Sequence, residues 1–437
     1  MPLTSVVKAT GKVLSSPFKN KHGKQNAIVM AAVIKEIEAA SYESRLLNNN
    51  SAWESVDYYD HDDISVGRLL QGGAFFETFK VRRLPGVGGS ERSSRGSTGY
   101  SSSEEDTIQT AKTNKGQCYI LKQLNGRLFS ENNQVLQQAA LRLVLEAKYL
   151  SRLDHRNLVR VKGLPFGEEA CLSQCTAGSF FVVTPRMVET LSDRVARWRQ
   201  HPAGDKRSEV ESFVGPFYHR KLGYAKDIAR ALQYLHKRNL VLLNLSPSSI
   251  GFLEDGTLQI ADLSCVQELP TDEDPSCSSL GLADLLDDSS HGDADMKLPQ
   301  HLKRVGNERT PTSTNLLVQI AADGGVPRYV APEVVLQQPG APWLTPKADV
   351  YSFSLVLFEL LTLSQPYITF KSGQHRMKVC VHGQRPNLSV YKMPQKLENL
   401  FLRTWRKTAW KRLDMTDVLQ SMPKPESNPV SIASRQA

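Results

Sequence analysis

The sequence predicts an α+β chain in which strands gather around one long helix and a mainly helical region follows. Three observations carry this. Between Ile64 and Met187, short apolar runs are punctuated by Gly, Pro, Asn and Ser, as strands are. In the same region Asn133–Leu153 places its apolar residues at helical spacing. Past Thr190, helical spacing takes over in Phe217–Arg238 and Lys347–Leu361, interrupted by two apolar runs and a Glu254-Asp255-Gly256 turn that end on Asp262.

Composition narrows the class. At 437 residues the chain can hold one large two-lobed domain or two ordinary ones, with a substantial core. The net charge of +9 fits either an anionic partner such as nucleic acid, membrane or nucleotide, or Lys and Arg scattered over solvated faces; no aromatic-interleaved basic stripe favours the first. Six cysteines in no paired C-x-x-C sets fit a reducing compartment, cytoplasm or nucleus, and exclude a disulfide framework. Cys171 and Cys175 read as a plain hairpin loop. No apolar stretch is long enough to span a bilayer, and the N-terminus lacks a signal-peptide core.

In order, residues 1–25 are basic and predicted disordered. Ala27–Leu47 is an amphipathic helix, expected either to dock on the main domain or to bind a partner. Ile64–Leu70 and Phe75–Leu84 are strands around QGGAFF. Pro85–Gln117 is a Gly- and Ser-rich insertion. Cys118–Leu124 is the strand holding Lys122, and the long helix from Asn133 carries Glu146. Asn157–Gly163 and Phe180–Met187 are further strands. Beyond the 240–266 stretch, an acidic segment from Pro270 gives way to a basic one at His301–Arg309, the pattern of a solvated loop.

The stretch NLVLLNLSPSSIGFLEDGTLQIADLSCV, from Asn239, resembles the catalytic loop H-R-D-L-K-P-x-N-I and the D-F-G motif of the protein kinases. GGVPRYVAPEVV resembles their A-P-E region, with Glu333 as the acid. Asp349 matches a buried anchor, and Arg412 the arginine that pairs with that acid. The resemblance covers roughly Asp62 to Ser421 in the family's order. ADVYSFS, FELLTL and GQRP are most similar to the tyrosine-kinase-like branch. It implies a two-lobed protein-kinase fold, with a small antiparallel-sheet N-lobe bearing one long helix and a larger, mainly helical C-lobe. The expected boundaries are 62–188 for the N-lobe with its 85–117 insertion, and 189–422 for the C-lobe with an activation-segment insertion at 268–322. A tail plus helix (1–61) precedes them, and a disordered tail (423–437) follows.

The resemblance also implies a site for ATP and Mg. Lys122 matches the lysine that holds the phosphates, Glu146 its helix partner, and Asp262 a metal ligand. Gly72 and Gly73 belong to the phosphate loop, but Gln71 and Phe76 stand where its outer glycines belong. Thr78, Ile120 and Gly251 line the adenine position, Thr184 matches the gatekeeper, and Pro185 to Met187 match the hinge. Departures cluster in the catalytic loop. Asn244 replaces the base Asp, Ser246 the lysine, and Ser249 the second-metal Asn. Leu243 replaces an arginine, and Val326 a hydroxyl residue of the activation segment. An amide cannot accept a proton at neutral pH, and a general base contributes about 10²–10⁴-fold. The expected function is a catalytically impaired pseudokinase that binds ATP with reduced affinity and acts as a signalling scaffold or allosteric partner of another kinase or a protein substrate. A weakly active Ser/Thr kinase and a nucleotide-free scaffold are the alternatives.

Overall fold

A computed structural model describes residues 21–48, 56–85, 118–130, 133–200, 213, 215–269, 326–336 and 344–423. In chain order the first elements are α1 (Lys21–Glu43), β1 (Asp57–Tyr59), β2 (Ser65–Gly72), β3 (Phe76–Arg83), β4 (Tyr119–Leu124), α2 (Asn133–Leu150), β5 (Gly163–Pro165), α3 (Glu168–Ser173), β6 (Phe181–Pro185) and β7 (Glu189–Thr190). There follow α4 (Leu191–Gln200), α5 (Gly215–His236), β8 (Leu240–Val241), β9 (Ile250–Phe252), β10 (Leu258–Ile260), β11 (Gln267–Glu268) and α6 (Pro332–Leu336). The last are α7 (Lys347–Thr362), α8 (Ser372–His375), which runs into a π-turn at Arg376–Val381, α9 (Gln395–Thr404) and α10 (Met415–Ser421). The chain forms two compact units. One comes from the chain up to Glu189 with Gly251–Ser264, the other from Thr190–Ile250 and from Cys265 onward. The architecture is mixed α+β, a sheet-bearing first unit and a mainly helical second one, as the resemblance implies.

In the first unit, six strands run in the order β1-β5-β6-β4-β3-β2. Alternation sends Val81, Tyr119, Leu121, Phe181 and Val183 to one face, where they form a core with Tyr59, Ile64 and Leu84. The sheet starts before Asp62, because β1 pairs in parallel with β5 (Asp57↔Gly163 to Tyr59↔Pro165). The strand expected over Asn157–Gly163 shrinks to Gly163–Pro165 and a single Leu158↔Ile260 bridge. The expected hairpin loop at Cys171–Cys175 is instead the end of α3, with Cys175 at φ +56°.

The second unit is built around α7, whose residues Ala348 to Leu361 are all buried, as expected of a helix apolar all round. Leu222, Ala225, Ile228, Ala229, Leu232 and Leu235 of α5 are buried as well, and α7 also packs on α9. There Phe358 meets Tyr391, Phe401 and Trp405 in edge-on or tilted contacts. Of the expected disordered tail (1–25), the insertions (85–117 and 268–322) and the final tail (423–437), residues 1–20, 86–117, 270–322 and 424–437 lie outside the described residues, while 21–25 are helical.

Candidate nucleotide site and catalytic loop

Strand register assembles the first half of the site. Thr78 stands opposite Lys122, and Ile120 opposite Thr184. Since Ile120 and Lys122 are two residues apart, all four side chains share the sheet face away from the core. From α2, Glu146 reaches Lys122, with Nζ 2.7 Å from Oε2. Asp262, just past β10, accepts from the same ammonium at 3.5 Å. Glu146 Oε1 also accepts the Leu263 N–H, and Asp262 Oδ1 the Ser264 N–H. Burial alone would depress the Lys122 ammonium, but Glu146 and Asp262 hold it above its ordinary value. Burial pushes the Glu146 carboxyl up, against the pull of Lys122. Burial also opposes the charge on Asp262, yet Lys122 and the Ser264 amide hold its carboxyl below the usual range. The strand leading to Asp262 is fixed by Asn157, whose Nδ2 donates to Leu258 O and whose carbonyl accepts the Ile260 N–H.

The phosphate-loop region is a tight hairpin. Gly72 pairs with Glu77, and Gly73 N–H donates to Phe76 O at 2.8 Å. The Phe76 ring lies 4.6 Å from Lys122 Nζ, a cation–π contact at the place where the family keeps a glycine. At the hinge, Arg186 N–H donates to Cys118 O and Val188 N–H to Phe252 O. The Met187 N–H between them has no partner among the described residues. Pro185 ends β6 with no N–H to give. A Cβ on Gly251 would lie 2.5 Å from Met187 Cγ, so the Met187 side chain fills the space that a larger residue at 251 would take.

The catalytic loop lies in the second unit. Asp349, wholly buried on α7, accepts Leu243 N–H on Oδ1 and Leu242 N–H on Oδ2, each at 2.8 Å, and sits 2.9 Å from His236 Nε2. This grip holds Leu243 at φ +69°, a conformation that costs an L-residue about 1–2 kcal/mol. Asn244 is buried. Ser249 Oγ lies 3.1 Å from Asn244 O and 3.0 Å from Ser246 O, and accepts Ser246 N–H at 3.0 Å. Ser246 Oγ is 2.9 Å from Ser248 Oγ. These serines staple the turn to itself. Further on, Arg412 grips Glu333 with two bonds, at 2.6 and 2.8 Å, and also donates to the carbonyls of Lys347 and Arg406.

Three partners escape sequence reading. Asn125 Nδ2 donates to Gly73 O while its Oδ1 caps Arg127 N–H, tying the phosphate-loop turn to the end of β4. Arg142 of α2 donates to Ser264 O. Met187 covers Gly251. The Asn-Gly pair at 125–126 is a visible turn signal, but its long-range partner is not.

Comparison with known proteins points to protein kinases. A protein tyrosine and serine/threonine kinase family profile matches residues 312–422. Serine/threonine-protein kinase mos of Gallus gallus is 24% identical over 293 residues, 64% of this chain and 68% of its own. Serine/threonine/tyrosine-protein kinase HT1 of Arabidopsis thaliana is 33% identical over 205 residues, 46% of this chain and 39% of its own. Serine/threonine-protein kinase STY46 of the same plant is 24% identical over 198 residues, 45% of this chain but only 26% of its own length. The chain is thus similar to the protein kinase superfamily, and its relatives point to the tyrosine-kinase-like branch. Among the described residues no helix is long and apolar enough to cross a membrane.

Proposed function

We propose that this kinase-like domain binds ATP, transfers its phosphate poorly or not at all, and acts in signalling through contact with partner proteins. The observation that carries this is a contrast. The Lys122–Glu146–Asp262 network is assembled, one ammonium held between two carboxylates, while the loop position that should accept a proton is an amide at Asn244. The residues fit the nucleotide. The Met187 N–H is a hinge donor, and Thr78, Ile120 and Thr184 line one sheet face with Lys122. Lys122 would neutralise phosphate charge while Glu146 orients its ammonium. The Asp262 side chain, 36% exposed, would take part in holding Mg²⁺, which supplies charge neutralisation when bound. Phe76 on the lysine lowers affinity by competing for the cation.

Ser249 offers a metal little, because its hydroxyl already serves three backbone groups of its own loop. A weakly active Ser/Thr kinase is the second reading, favoured by the kinase names of the relatives. Thermal unfolding of the full chain with Mg-ATP tests the binding claim. A ligand at 100 times its Kd adds about 2.7 kcal/mol, and the rise should vanish in Lys122→Met. Labelled-phosphate transfer tests the impairment. Transfer by the parent that disappears in Lys122→Met would overturn it, and turnover gained by Asn244→Asp would identify the amide as the main block.

A further inference from the structure

We infer that α1 is the positioning element of the nucleotide site, a helix from outside the sheet that fixes α2 and so keeps Glu146 on Lys122. Its buried residues, Asn26, Ala27, Val29, Met30, Val33 and Ile37, recur at helical spacing and form one face. That face packs on α2. Three tethers meet it in matching order. Asn26 Nδ2 donates to Phe129 O just before α2, Gln137 Nε2 to Glu36 Oε1 in its first turns, and Arg152 to Leu47 O just after its end. The chain from α1 to Leu47 therefore runs parallel to α2 and holds both ends and the N-terminal turns. With β4 and β6 also packed against it, α2 is buried on more than one face, including Leu136, Ala140, Leu143 and Ala147. Freed of α1 it would expose apolar surface along its length.

The consequence reaches the site through one side chain. Glu146 is 3% exposed and meets Lys122 at 2.7 Å. An ion pair that short does not survive a shift of its helix by an ångström or two, about what a helix moves in switching transitions. Met30 and Val33 are thus positioning residues. They touch no nucleotide and act through α2. The face of α1 that a partner protein would need is already in use, so any partner that captured it would have to pull it off α2 and open the Lys122–Glu146 pair.

This inference rests on the nucleotide reading only for its consequence, and its test separates the two. In the full-length chain, Met30→Asp with Val33→Asp is compared with Met30→Leu with Val33→Ile. Hydrogen exchange is followed in α1, α2, β4 and α7, together with acylation of Lys122 by a water-soluble acetylating ester and stabilisation by Mg-ATP. In the aspartate variant, exchange in α1 and α2 should quicken by about tenfold. Lys122 acylation should rise several-fold as its carboxylate partner leaves, and α7 should be unchanged. The conservative variant should restore all of these. Should the aspartates also unfold β4, Asn26→Ala with Gln137→Ala, which cuts two tethers and leaves the apolar face, must show the same changes in smaller degree. Fast exchange in α1 with α2 and Lys122 at parental values would overturn the inference. A parent chain that gains no stability from Mg-ATP would sink the nucleotide reading instead, while exchange and labelling still decide the role of α1.

Discussion

In the unit built on the sheet, the charged groups proposed to face a nucleotide meet their partners. Lys122 has Glu146 and Asp262, and those carboxylates in turn accept backbone amides on the two residues after Asp262. In the helical unit the surviving charges are of another kind. Asp349, Glu333 and Arg412 hold backbone in place, whereas the positions where the resemblance implies a base, a lysine and a second-metal ligand carry Asn244, Ser246 and Ser249. The difference teaches that loop shape and loop chemistry are separately encoded. The catalytic turn owes its geometry to an anchor more than one hundred residues away, so its reactive side chains can change while its path is kept.

That separation can be broken first at its anchor. Asp349→Ala strands two buried N–H groups and His236, and should cost about 3–5 kcal/mol, read as a lower urea midpoint. A loss below about 1 kcal/mol would mean that the loop holds its shape without the anchor. The next effect concerns acidity in the same unit. His375 is buried, and burial, reinforced by Arg328 and Arg385, pulls its imidazole down to about 4. Above pH 6.5 both folded and unfolded chains keep it neutral. Between pH 6.5 and 4 the unfolded chain takes up a proton that the folded one refuses, so stability should fall as pH falls, by up to about 3 kcal/mol. Unfolding at pH 7, 5.5 and 4.5 should show a slope that His375→Leu reduces.

In the sheet unit the expected effects are smaller. Asn125→Ala removes both the bond to Gly73 O and the cap on Arg127, and should cost about 1–2 kcal/mol, with faster exchange confined to the 73–76 turn. Smallest is Phe76→Gly. Lifting the ring from Lys122 should tighten Mg-ATP by about 0.5–1 kcal/mol, several-fold in Kd by calorimetry. Weaker binding would show that the ring supports the nucleotide rather than competing with it.

Much of this was legible in the residues. Helices with a strong period came out almost in register, Asn133–Leu153 against Asn133–Leu150, because their burial pattern is local. The helix expected at Ala27–Leu47 begins earlier, at Lys21, and ends at Glu43, since its polar first turns carry no period. Three-residue β1 was missed because Asp57-Tyr58-Tyr59 gains its strand character from β5, far along the chain. Around the site, motif order pointed to the Lys122–Glu146–Asp262 meeting. Asn125, Arg142 and Met187 contribute through contacts with backbone or a glycine Cα, which leave no mark at their partners' positions in a single sequence.

The Met187–Gly251 contact has a practical side. The space beneath the hinge is filled by an unbranched thioether with three rotatable bonds, not by a branched group rooted on β9. A purine analogue with added bulk on that side would meet a wall that yields by turning torsions instead of shifting a strand. Under the proposed nucleotide reading, this contact therefore offers a chemical handle, a probe shaped for an adjustable floor.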